Sequence, residues 1–122
     1  MVFQALELKD RVGSEIRTDV ASLLTPEVAG KVRRLLVERG VLVFKQLMLT
    51  TEQQLTLSRL MGSLREEGQK GLLKSTLDKK INARADYLKG SFLWHIDGTH
   101  DDVPPFASLL TGVTLYDTGG QT

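Results

Sequence analysis

Apolar residues recur along this chain at two spacings, and the spacings divide it into elements. The first segment alternates loosely, with Phe3, Ala5, Leu6 and Leu8 apolar, and predicts a strand or extended edge. Gly13 breaks it. Ser14-Glu15-Ile16-Arg17-Thr18 then reads as a second short strand able to pair with the first. Thr25-Pro26-Glu27 starts a helix: Thr25 can cap free backbone N–H groups, Pro26 suits the first helical position and Glu27 favours the positive end of the dipole. Val28, Val32, Leu35 and Leu36 follow on one face, and Gly40 closes the helix. Val41-Leu42-Val43-Phe44 comes next, a continuous apolar run that predicts a buried strand. Thr51-Glu52-Gln53-Gln54 has the form of a capping box. It opens a second helix with Leu57, Leu60 and Met61 on one face, ending near Gly62. These stripes are core positions and carry no chemistry.

Beyond Gly62 the pattern weakens. Residues 63–70 are polar and read as loop, residues 72–77 as a strand, and residues 78–87 as a mobile connection of the kind that can border a pocket. Residues 90–95 read as a strand running into a site. Val103-Pro104-Pro105 stops regular structure, residues 106–116 read as a long strand, and Asp117-Thr118-Gly119-Gly120 is a turn signal. No internal repeat or linker-like shift in composition interrupts this order. The expectation is a single α+β domain.

Composition narrows the function. The 122 residues suffice for one modest core, and 41% hydrophobic with 25% charged residues is ordinary for a globular protein. Sixteen basic and fifteen acidic side chains leave a net charge of +1, with the bases scattered. Neither nucleic acid nor an anionic membrane is an expected partner. The absence of cysteine excludes disulfides, zinc–thiolate sites, iron–sulfur clusters and thiol nucleophiles. No apolar stretch has the length of a membrane span, and Met1 to Glu7 lacks the marks of a signal peptide. A cytoplasmic protein is expected.

The candidate chemistry lies in His95-Ile96-Asp97. On a strand, residues i and i+2 point to the same side, so an imidazole nitrogen and a carboxylate oxygen can meet one metal ion. That mixed donor pair suits Fe(II) better than magnesium or calcium. The same tripeptide is also compatible with a strand-end histidine bonded to a loop aspartate. His100, five residues on, reads as a pocket-lining or surface residue rather than a further ligand.

The wider context is more specific. Trp94-His95-Ile96-Asp97-Gly98-Thr99, then Pro104-Pro105, Ser108-Leu109-Leu110 and Gly119-Gly120-Gln121-Thr122, resembles the metal-site segment of the TauD/TfdA dioxygenases in order and spacing. Residues 40–45 and the helix from Gln53 to Gly62 are similar, more loosely, to the family's early buried strand and following helix. The resemblance implies an Fe(II)- and 2-oxoglutarate-dependent dioxygenase acting on a small organic acid with dioxygen. It implies His95 and Asp97 as iron ligands and Thr122 as a contact to a 2-oxoglutarate carboxylate. Trp94 would pack beside the site or serve as plain core, and Gly119-Gly120 would turn the backbone tightly or form an ordinary hairpin turn. The implied fold is the N-terminal part of a double-stranded β-helix (jelly roll) with flanking helices, incomplete. Ser91-Phe92-Leu93 and Gly98-Thr99-His100 depart from the taurine enzymes, so taurine itself is not the expected substrate.

The family pattern also has a distal histidine and a later arginine that grips 2-oxoglutarate, both beyond the Gly-Gly-x-Thr turn. None of the arginines here, all upstream of the motif, matches that position. The expectation is therefore a fragment, inactive by itself, whose long strand at 106–116 would have an open edge able to pair with another chain, as in a homo-oligomer. Two further readings stand beside it. One is a non-catalytic remnant acting as a folding or partner-binding module. The other is an unrelated small α/β domain.

Overall fold

The computed structural model of the chain describes residues 1–65, 72 and 75–119. Its architecture is mixed α+β, and it divides into two compact units.

The first unit holds the described residues of Met1–Ser63 and Leu109–Thr122. Strands β1 (Phe3–Glu7) and β2 (Ser14–Thr18) form the expected antiparallel hairpin, with Ala5 opposite Ile16. A single turn of helix, α1 (Val20–Leu23), follows. The periodicity could not reveal so short an element. Its start is nonetheless local chemistry: Asp19 accepts from the Ser22 backbone N–H at 2.8 Å and from the Ser22 hydroxyl at 2.7 Å.

Helix α2 (Pro26–Arg39) has the expected bounds. Thr25 accepts from the Val28 N–H at 3.3 Å, and Gly40 ends the helix with φ +73°, a left-handed conformation that favours glycine. Strand β3 (Leu42–Val43) pairs in parallel with β2, Ser14 beside Leu42. The sheet order is β1-β2-β3, so β3 is an edge. The fully buried strand expected over Val41 to Phe44 is corrected here. An edge strand covered on one face alternates, and Val41 and Val43 are exposed while Leu42 and Phe44 are partly covered.

Helix α3 (Thr51–Met61) is capped by Thr50, one residue earlier than the capping-box reading had it. Thr50 Oγ1 accepts from the Gln53 N–H at 3.3 Å, and Gln53 Oε1 accepts from the Thr50 N–H at 2.8 Å. Leu57 and Met61 of this helix meet Leu23, Val28, Ala29 and Val32 in the core. Complete burial of a valine or leucine side chain contributes about 1.5–3 kcal/mol.

Arg39 is the unexpected member of this unit. It is buried, and its guanidinium donates to the carbonyls of Asp10 (3.2 Å), Gly13 (3.2 Å) and Lys9. The β1–β2 connection, which has no ladder of its own, is thereby tied to the end of α2. Glu7 lies 3.7 Å away and offsets part of the charge.

The second unit spans Leu64–Ser108. Its described part consists of turns and a 3-10 helix at Tyr87–Phe92 around the buried Ala85. Lys79 and Lys89 both pair with Asp86, at 2.7 and 3.1 Å, and hold its carboxyl below the usual range.

Two expected strands are absent. Residues 90–92 belong to the 3-10 helix, and residues 93–96 are irregular. Residues 106–116 contain no strand either. A strand exists only where a neighbour completes its backbone hydrogen bonds, and among the described residues no segment pairs with this one. For the reading of residues 72–77 as a strand, Leu72 forms an isolated bridge, residues 75–77 are irregular, and residues 73–74 lie outside the described residues. Among the described residues, no helix is long and apolar enough to cross a membrane.

Candidate functional site

The site lies in the second unit, where the 3-10 helix ends. Leu93 leaves the helix with extended backbone angles (φ −89°, ψ 141°), so its carbonyl turns away from the helix axis. That carbonyl lies 2.7 Å from His95 Nδ1. A carbonyl can only accept, so Nδ1 carries the proton and donates it. The lone pair of the neutral ring is then on Nε2.

Nε2 faces Asp97. The distance to Asp97 Oδ1 is 3.1 Å, with the two side chains 47% and 73% exposed. The local backbone thus brings the pair together without the strand that the i, i+2 argument assumed. Irregular residues 94–96 followed by a turn at 97–100 bring the two side chains together.

This geometry carries a chemical requirement. An imidazole lone pair and a carboxylate lone pair at 3.1 Å repel unless something positive lies between them. The candidates are a proton, making an imidazolium–carboxylate pair, and a metal ion. First-row divalent ions take imidazole nitrogen and carboxylate oxygen at about 2.0–2.2 Å, so two donors at a right angle stand about 3.0 Å apart. The observed separation matches that value. The Leu93 carbonyl supplies the orienting contact that metal-bound histidines ordinarily have on their second nitrogen. In kind and in spacing, the two donors fit a metal ion. They are two candidate donors: among the described residues, no group of three or more His, Cys, Asp or Glu gathers to hold an ion.

The turn after Asp97 is tightly built. Gly98 has φ +68°, and the Asp101 N–H donates to its carbonyl at 3.1 Å. A Cβ on Gly98 would stand 2.6 Å from Pro105 Cδ and 2.9 Å from Asp101 Oδ2, so only glycine permits this approach. Asp101 in turn binds Arg65 Nη1 at 2.5 Å. The Arg65 hydrogen bond and charge, with His100 a smaller influence, hold the Asp101 carboxyl below its ordinary range. Sequence reading missed this pair. The residues are 36 positions apart, and nothing local links them.

The other candidates fare differently. His100 is turned to solvent, 89% exposed, with Nε2 3.8 Å from Asp101. Trp94 is 93% exposed, which corrects its reading as core or as packed beside the site; among the described residues, nothing covers the ring. Gly119 has φ +80°, a left-handed conformation that favours glycine. Gly120 and Thr122, the latter the candidate for contacting 2-oxoglutarate, lie outside the described residues.

Comparison with known proteins supplies the lineage. Residues 4–122 match the family described as "Taurine catabolism dioxygenase TauD, TfdA family". No curated protein matches the chain, and no solved structure does. A match over almost the whole length shows that the chain belongs to this family of dioxygenases.

Proposed function

From membership of the TauD/TfdA family, we propose that this chain carries two ligands of an Fe(II) centre, His95 and Asp97, in a 2-oxoglutarate-dependent dioxygenase. The observation that supports the reading most is the 3.1 Å approach of His95 Nε2 to Asp97 Oδ1, with Nδ1 tied to the Leu93 carbonyl. The substrate class is a small organic acid, with dioxygen as second substrate. The three-stranded sheet and its helices would flank a double-stranded β-helix. A reducing, cytoplasmic setting suits ferrous iron.

Iron, when bound with 2-oxoglutarate and dioxygen, supplies the oxidising power that removes hydrogen from the substrate. The residues of this chain prepare for that. Leu93 O holds the His95 proton on Nδ1, which leaves Nε2 as the atom that would bind the ion. Asp97 would supply a negative charge that offsets part of the charge of a divalent ion. Thr122 is proposed to donate its hydroxyl to a 2-oxoglutarate carboxylate. Among the described residues no third His, Cys, Asp or Glu joins the pair, and a further donor would complete the centre.

The test is metal binding. Co(II) titration followed by visible absorption should give a saturable signal that His95→Ala abolishes and Asp97→Ala weakens about tenfold or more. A cobalt signal unchanged in His95→Ala would sink the assignment.

A specific observation favours the alternative of a partner-binding module. Within the second unit Phe92, Leu93, Trp94 and Ile96, four large apolar side chains in five successive positions, are all largely exposed, and such a run of exposed apolar side chains marks a contact surface. A chain that binds no Co(II) and remains folded would favour it.

A further inference from the structure

The inference here rests on the metal reading of His95 and Asp97 and concerns what holds the pair in register. Residues 94–96 have no regular secondary structure, and Asp97 opens a turn. Neither a ladder nor a helix restrains its carboxylate, which is 73% exposed. A ligand on such a segment samples many positions, and the positions outside bonding range weaken metal affinity.

The restraint is at the far end of the turn. The Asp101 N–H closes the turn on the Gly98 carbonyl, and the Asp101 carboxylate binds Arg65 Nη1 at 2.5 Å. Pro105 leaves no room for a Cβ at Gly98, so the turn keeps its glycine. Arg65 is the side chain outside the turn that binds it. The Arg65 and Asp101 side chains are 51% and 24% exposed, so the pair adds little to overall stability. Its effect is local.

We propose that Arg65 is a positioning residue for the metal pair: its bond to Asp101 anchors the 97–101 turn and keeps Asp97 in ligating range of His95. Arg65 touches neither ligand. It acts through Asp101 and the Gly98 turn.

The test uses the full chain and Co(II), with affinity and visible spectrum read beside thermal unfolding. Arg65→Ala and Asp101→Asn should each weaken Co(II) binding about tenfold, as changes around metal ligands commonly do. The unfolding temperature should stay close to that of the unaltered chain. Exchanging the partners, Arg65→Asp with Asp101→Arg, should recover most of the affinity and the spectrum. Single variants that bind as tightly as the unaltered chain would overturn the proposal, as would an exchange that recovers nothing. Loss of affinity in step with loss of thermal stability would overturn it too, since that is the mark of a purely structural role. If the unaltered chain gives no His95-dependent cobalt signal, the metal reading fails and this proposal falls with it. Cobalt binding that survives every change at Arg65 and Asp101 sinks this proposal alone.

Discussion

The Gln54 side chain donates from Nε2 to the Leu109 carbonyl at 3.0 Å, across 55 positions of sequence. Its Oε1 also accepts from the Thr111 hydroxyl at 2.7 Å. One side-chain amide on α3 thus does for residues 109–111 what a neighbouring strand would do: it satisfies a backbone carbonyl and fixes a register. Leu109 is held against the core by the same contact.

Gln54→Ala should remove both bonds and destabilise the chain by about 1–2 kcal/mol in urea unfolding, at roughly 1 kcal/mol per partly buried bond. The Leu109 methyl resonances should shift and broaden as the side chain leaves the core, while the α2 amides stay protected. Unchanged Leu109 methyl resonances would show that Gln54 does not hold the segment.

The cap of α3 can be tested by two neighbouring threonines. Thr50→Ala should cost about 1 kcal/mol, because the Gln53 N–H loses its acceptor. Thr51→Ala, inside the first turn, should change stability by less than about 0.5 kcal/mol. The reverse order would restore the cap to Thr51.

Glu15 makes stability depend on acid. Its carboxylate accepts from Lys45 at 2.7 Å and Arg17 at 2.8 Å, and those two bonds hold its pKa below the ordinary 4.5. A carboxyl depressed in the folded state stabilises above its unfolded value and loses that stabilisation as pH falls through the folded value. Glu15→Gln should therefore lower stability at neutral pH, and the two chains should converge at pH values below the folded pKa. Parallel curves across the acid range would contradict the pairing.

Gly98 joins the turn to the metal pair. Gly98→Ala puts a Cβ in contact with Pro105 at positive φ, a conformation that costs an L-residue about 1–2 kcal/mol. Co(II) affinity should fall about tenfold while far-UV circular dichroism is unchanged, since α2 and α3 lie in the other unit. Full affinity in this variant would mean the turn does not control the ligand.

Local chemistry was readable in advance. The β1–β2 hairpin, the Thr25-Pro26 start and Gly40 stop of α2 and the extent of α3 to within a residue all depend on groups a few positions apart. Such signals act wherever the segment sits. The residues at 106–116 have the apolar content of a strand, yet whether they form one depends on a partner to complete the backbone bonds, and none pairs with them among the described residues. Arg39 over the β1–β2 connection, Gln54 on Leu109 and Arg65 on Asp101 join positions 26 to 55 residues apart. No periodicity or cap encodes those contacts. They were decided only when the folded chain brought a donor and an unsatisfied acceptor to the same place; for Arg39 and Gln54, burial also makes leaving the acceptor carbonyl unpaired costly.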